Sequence, residues 1–143
     1  MGGFPLSRRF GLGRGFEHYD DRVEKAPGLH FEFAERRAPE VVAAARGWLA
    51  QTPGPVFAWV HLFDPHAPYD PPPAHRGLDP YRGEIAAADE ALGGLLEAWD
   101  ARAGPSYIAV TSDHGEAFGE HREESHSLFV YDVTLQVPLL LRG

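Results

Sequence analysis

Two short stretches of this chain set acid, base and metal-binding side chains side by side. The first is Asp64-Pro-His-Ala-Pro-Tyr69 and the second is Ser112-Asp-His-Gly-Glu116. In the second, a carboxylate and an imidazole occupy adjacent positions, Asp113 and His114. Adjacent side chains can ligate one ion only where the backbone turns sharply, and Gly115 permits such a turn. Glu116 is a further ligand candidate, or a partner that orients His114. The competing structural reading is an Asx turn beside a solvated histidine. Two ligands do not complete a site, so any ion must take others from elsewhere. In the first stretch, Pro65 and Pro68 stiffen the backbone on either side of His66. A stiffly held imidazole suits a group that must hold a transferring oxygen without reorganising. A loop histidine packed on Tyr69 is the alternative.

The other candidates are weaker. His61 shares a face with Trp59 on an extended segment, which suits an orienting or core histidine better than a ligand. His121, Glu123, Glu124 and His126 fail the zinc-peptidase spacings. The two histidines are five apart rather than four, and Ser125 stands where the reversed motif needs His. His126 stays a candidate polar group beside Asp113 and His114, twelve residues beyond the latter. No G-x-S-x-G elbow exists, so a nucleophilic serine of that kind is excluded. The chain has no cysteine, which removes thiolate ligands, disulfides and thiol nucleophiles. Gly11, Gly13 and Gly15 lack the preceding strand and following helix of a phosphate loop, and they read as turns. His18, His30 and His75 belong to no constellation.

The elements that must position these groups follow from periodicity. Residues 1–38 are rich in Gly, Arg and aromatics without a period. They read as a loop-rich leading segment, with a short strand near residues 30–33. A helix opens at Pro39 and lines Val41, Val42, Ala45, Trp48 and Leu49 along one face. Pro53-Gly54-Pro55 ends it. Residues 56–63 are β-branched, aromatic and nearly all apolar, the pattern of a strand buried on both faces of a parallel sheet. Residues 64–80 hold six prolines and form a rigid irregular loop. A second helix over 81–102 buries Ile85, Ala88, Leu92, Leu95, Leu96 and Trp99. Strands follow at 106–111 and 137–142. The order strand, helix, strand predicts an α/β fold with a right-handed βαβ crossover and a mainly parallel sheet. Such sheets gather function beyond the carboxyl ends of their strands. Both polar stretches stand there, so the two loops are expected to converge.

Composition narrows the function classes. A chain of 143 residues with 43% hydrophobic residues can bury a core. A net charge of −8 argues against general binding to nucleic acid or to anionic membranes. No apolar run reaches the roughly 18 residues that a membrane-spanning helix needs. The first ten residues lack the apolar core of a signal peptide, and localisation is not legible.

Several ordered motifs together resemble the sulfatase family of the alkaline-phosphatase-like superfamily. They are Phe63-Asp-Pro-His-Ala-Pro-Tyr-Asp-Pro-Pro72, Tyr81-x-x-Glu-Ile-x-x-x-Asp89, and Val110-Thr-Ser-Asp-His-Gly-Glu-x-Phe-Gly-Glu-His121, then His126, and Tyr131-Asp132 before Val137-Pro-Leu-Leu140. The resemblance covers residues 39–143 as a partial catalytic domain with two site loops, and residues 15–21 are similar as well. It implies a three-layer sandwich with a mainly parallel central sheet, and a metal-dependent sulfuric ester hydrolase. It implies that Asp113 and His114 are the late pair of metal ligands. His66 matches the contact to the sulfate or the leaving-group oxygen. His126 lies where relatives place Lys or His against the ester oxyanion, and Asp89 is structural. The implied cofactor is a divalent ion, calcium by family; an imidazole ligand keeps manganese or zinc open. The implied partner is a small-molecule or glycan sulfate ester, with no nucleic acid.

The sequence also departs from that family. The family nucleophile is the Cys or Ser of a C/S-x-P-x-R motif, oxidised to formylglycine. None of Ser7, Ser106, Ser112, Ser125 and Ser127 begins that motif, and cysteine is absent. The early Asp-Asp metal pair has no match, because Asp20-Asp21 follows a loop rather than a buried strand. The site lysines are missing too, Lys25 being the only lysine. The expectation is a fragment of a catalytic domain, with half a metal site and no nucleophile, inactive alone. Two other readings stay open. One is a fragment of a phosphonate or phosphate ester hydrolase or a phosphoethanolamine-type transferase, which share Ser-Asp-His-Gly. The other is a non-catalytic remnant or binding module.

Overall fold

The computed structural model describes residues 1–23, 35–126 and 128–143. The strand expected near residues 30–33 lies outside the described residues. The chain divides into two compact units, Met1–Arg102 and Ala103–Gly143.

In the first unit, helix α1 spans Ala38–Gln51 with Pro39 in its first turn, where a missing N–H costs nothing. Arg37 precedes it and offers no side-chain acceptor. The Asp64 carboxylate takes that role from a distance, accepting from the Ala38 N–H at 2.9 Å. Helix α2 spans Pro80–Asp100, with the Asp79 side chain accepting from the Arg82 N–H. Beyond its far end, the Arg102 guanidinium donates to the carbonyls of Leu49, Thr52 and Gly54 at 2.9, 3.0 and 2.6 Å. Those carbonyls belong to the close of α1 and the turn after it, so the two helices are tied end to end.

Val42, Leu49 and Leu95 form the buried centre between the helices, with Ala45, Trp48, Leu92 and Trp99 packed around it. These are the expected stripes, with corrections at Ile85, which is exposed, and at Leu96, which is half-buried and outside this cluster. The inward face of α2 runs through Glu84, Ala88, Ala91 and Leu95. Ile85 is turned about 100° away from Glu84 by helical geometry.

Residues 56–63 also need correction. They were expected to be a strand buried on both faces, yet they belong to no strand among the described residues. Val56, Val60 and Leu62 pack against the helices. Phe57 and Trp59, between them in sequence, remain 78% and 47% exposed. A strand needs a neighbour to take its N–H and C=O groups. Without one, only the helix-facing side of the segment is covered. The leading segment is anchored by Asp20, whose carboxylate pairs with Arg22 at 2.8 Å and Arg36 at 3.2 Å.

The second unit pairs β1 (Ile108–Thr111) with β2 (Leu139–Arg142). The pair is antiparallel, with Ile108 opposite Arg142 and Thr111 opposite Leu139. It is the only sheet among the described residues, so the expected parallel arrangement is not found among them. The connection explains the direction: residues 112–138 leave and return at the same end of the pair, which forces opposite strand directions. That excursion contains the single-turn helix α3 (Asp132–Leu135). No helix among the described residues is long and apolar enough to cross a membrane.

Candidate functional site

His66 lies in the first unit, on the loop that leads from residues 56–63 toward α2. Its ring stacks on Phe63 at 4.4 Å and 22° between planes. Tyr69 meets Tyr81 edge-on. The His66 Nδ1 lies 2.7 Å from the Ala67 carbonyl oxygen. A carbonyl can only accept, so Nδ1 carries the proton in this assignment. His61 is half-buried, with its ring 6.3 Å from Trp59, the neighbour its spacing implied.

Three charged groups hold the base of this loop. Arg37 lies 3.5 Å from Asp64 and donates to Glu84 at 2.6 Å. Glu84 accepts in turn from the backbone N–H groups of His66 and Asp70. Burial pushes the Asp64 carboxyl above its usual range, more strongly than its hydrogen bonds and Arg37 pull it down. Burial likewise raises Glu35. Loss of water alone would lower Arg37, but the hydrogen bond to Glu84 and the surrounding acids hold it raised.

The second unit brings Asp113, His114 and His126 into one run of contacts. Asp113 Oδ1 accepts from the His114 N–H at 3.1 Å, and the His114 Nε2 lies 3.9 Å from the same oxygen. The His114 Nδ1 faces the Gly115 carbonyl at 2.8 Å, which again places the proton on Nδ1. Gly115 is required here by close approach rather than by turn angle. Its N–H donates to the Thr134 carbonyl at 2.8 Å, and an added Cβ would run into the Val133 carbonyl oxygen. The His114 ring stacks on the His126 ring at 4.0 Å.

By sequence Glu116 is a ligand candidate or an orienting partner for His114. In the structure its Oε1 lies 3.0 Å from His126 Nδ1, with its side chain 8% exposed. Ser125 adds a hydroxyl that donates to the same carboxylate at 3.2 Å. Nothing periodic links positions 116 and 126, so only the loop's path shows the pairing. Glu123, tested above as a zinc-peptidase residue, is buried and braces the loop. Its carboxylate accepts from the N–H groups of Leu128 and Phe129 at 3.1 and 3.0 Å. His121 stacks on Tyr131 at 4.1 Å.

The donor chemistry of Asp113 and His114 suits half of a metal site. With the proton on Nδ1, the His114 Nε2 lone pair lies on the same side as the Asp113 carboxylate. Their 3.9 Å separation compares with about 3–3.5 Å between adjacent ligands on one ion. Modest side-chain rotation closes that gap. Among the described residues no group of three or more His, Asp or Glu gathers to complete the coordination.

No curated protein and no solved structure matches the chain. The family model for Sulfatase matches residues 9–143, nearly the whole chain and both units. The chain therefore belongs to the sulfatase family, whose members hydrolyse sulfate esters.

Proposed function

We propose that this chain supplies part of the machinery of a metal-dependent sulfuric ester hydrolase. The observation that supports this reading most strongly is the stack of His114 on His126 at 4.0 Å, next to Asp113 and just beyond the end of β1. Asp113 and His114 would hold a divalent ion, calcium by family and manganese or zinc by the preference of imidazole, and such an ion would supply Lewis-acid polarisation of the sulfate oxygens. His126 contacts a non-bridging oxygen of the ester. Glu116 and Ser125 fix its ring from the Nδ1 side, which leaves Nε2 to face that oxygen. His66 serves the leaving-group oxygen, moving a proton at Nε2 because Nδ1 is committed to the Ala67 carbonyl. The substrate is a small-molecule or glycan sulfate ester.

The nucleophile is missing from this set. No cysteine is present and no serine begins the family's nucleophile motif. On this reading the chain alone does not turn over sulfate esters.

A manganese titration of the ¹⁵N-labelled chain tests the assignment. At millimolar Mn²⁺ the signals of Asp113, His114 and His126 should broaden before those of Asp20, Asp79 or Glu90. Broadening that starts elsewhere, or nowhere, refutes the ligand pair. An aryl sulfate assay of the same sample should show no hydrolysis, and turnover by this chain would refute its incompleteness.

A further inference from the structure

Glu84 is buried, its side chain 1% exposed. A carboxylate in that position is costly unless it is paired and fully hydrogen-bonded. Its partners are specific. Oε1 accepts from Arg37 Nη1 at 2.6 Å and from the Asp70 N–H at 2.9 Å. Oε2 accepts from the His66 N–H at 3.2 Å. Two of its three donors are thus backbone amides of the loop that carries His66.

Arg76 holds the later part of that loop, donating to the Pro71 carbonyl and the Asp70 carboxylate at 3.2 Å each. Pro65, Pro68, Pro71 and Pro72 have no N–H to donate, so a backbone ladder through this stretch is impossible. Glu84 takes two of the few amides that remain. The preceding residue brings α2 close enough for this. A Cβ on Gly83 would lie 2.8 Å from Pro71 Cβ and 2.9 Å from the His75 carbonyl oxygen. The helix therefore presses against the later part of the loop. Arg37 closes the arrangement by joining Glu84 to Asp64, the residue that starts the loop and caps α1.

We propose that Glu84 is the positioning residue for His66. It clamps the loop to α2 through the His66 and Asp70 amides and so fixes where the imidazole stands. The loop cannot slide along α2 without stripping donors from a buried carboxylate, which makes its position a near two-state property rather than a graded one. The role assigned to the positioned imidazole rests on the sulfatase reading of His66 given above; the clamp itself does not.

Amide hydrogen exchange on the full chain tests the clamp. In the unsubstituted protein the His66 and Asp70 amides should exchange at least about tenfold more slowly than in an unstructured peptide. The His66 ring protons should be shifted upfield by the Phe63 ring beneath them. Glu84→Gln keeps the shape but turns an NH₂ group toward a donor. It should speed exchange at His66, Asp70 or both by about tenfold or more and collapse the His66 ring shift. The amides of Val42, Leu49 and Leu95 should not change. Uniform acceleration across α1 and α2 would mean a merely structural role and overturn the proposal, as would unchanged exchange at both loop amides. If Glu84→Gln fails to fold, the unsubstituted protein decides: fast His66 and Asp70 amides overturn the clamp, and protected amides with an upfield His66 ring support it. The manganese titration reads Asp113 and His114 instead, so the clamp and the sulfatase assignment can fail separately.

Discussion

Arg102 offers the sharpest quantitative test of the first unit. Its guanidinium donates three hydrogen bonds to the Leu49, Thr52 and Gly54 carbonyls at the close of α1. The Leu49 carbonyl otherwise accepts the Thr52 N–H at 3.3 Å, and both carbonyls stand at the close of α1, the negative end of the helix dipole. A hydrogen bond from a charged donor contributes about 1.5–3 kcal/mol. The three are not additive, because one fork serves them all and the freed carbonyls can rehydrate in Arg102→Met. The net loss should be about 2 kcal/mol. For a unit of this size that lowers the urea midpoint by about 1 M. Trp48 and Trp99, both packed at the helix interface, report unfolding by fluorescence. Arg102→Lys keeps the charge but loses the planar fork, and should recover only part of the loss. A midpoint shift below about 0.3 M for Arg102→Met would refute the reasoning, and so would a lysine variant equal to the parent.

Gly115→Ala should destabilise the second unit by about 1–3 kcal/mol, because its Cβ runs into the Val133 carbonyl; loss of the His114 ring stacking shift by NMR checks it. Glu116→Leu removes the acceptor at His126 Nδ1, and the Nδ1-protonated fraction should fall about tenfold in ¹⁵N ring shifts; an unchanged tautomer would show that Glu116 does not orient His126. The pH dependence should have two opposite signs. Hydrogen bonds from Arg22 hold the folded Asp20 carboxyl well below its usual range. Its contribution is therefore present above about pH 4 and is lost as the pH falls toward the folded value, so the parent's advantage over Asp20→Asn should shrink in acid. Burial raises the folded pKa of Asp64. Its contribution is present below about pH 4 and is lost as the pH rises through the raised value, so the stability of the parent relative to Asp64→Asn should fall with rising pH. Urea midpoints measured from pH 2 to 7 read both trends, and parallel curves would contradict them.

The parts legible in the sequence are those whose cause is local. Helices α1 and α2 announce themselves through apolar residues at 3.6 spacing, and α1 also through Pro39 in its first turn; Pro80, read as loop, opens α2. His66, Asp113, His114 and His126 are conspicuous by residue type and motif spacing. Residues 56–63 show the limit of such reading. Their composition records how much of the segment would favour cover, but not whether a neighbouring strand is there to provide it. Long-range polar contacts were equally hidden. Nothing near Arg37 indicates that Asp64 caps α1, and nothing in the α2 pattern marks Glu84 as an inward carboxylate rather than a solvated one. Ile85 was misplaced for the same reason, since its apolar character suggested the face that Glu84 occupies. Glu116 was seen, but its partner is chosen by the path of the loop and not by spacing.

The two ends of α1 have a consequence for how the protein is made. Its first N–H is capped by Asp64, 26 residues downstream. Its closing carbonyls are taken by Arg102, at a separation of 53 residues from Leu49. A ribosome releases the chain from the amino end, so α1 emerges long before either cap exists. A 14-residue helix is marginal by itself in water. It must therefore wait in a frayed state until residue 102 clears the exit tunnel, and the first unit sets in one late event instead of growing helix by helix. A ribosome stalled before that point should carry a nascent chain without stable α1, open to proteases and chaperones over its whole emerged length.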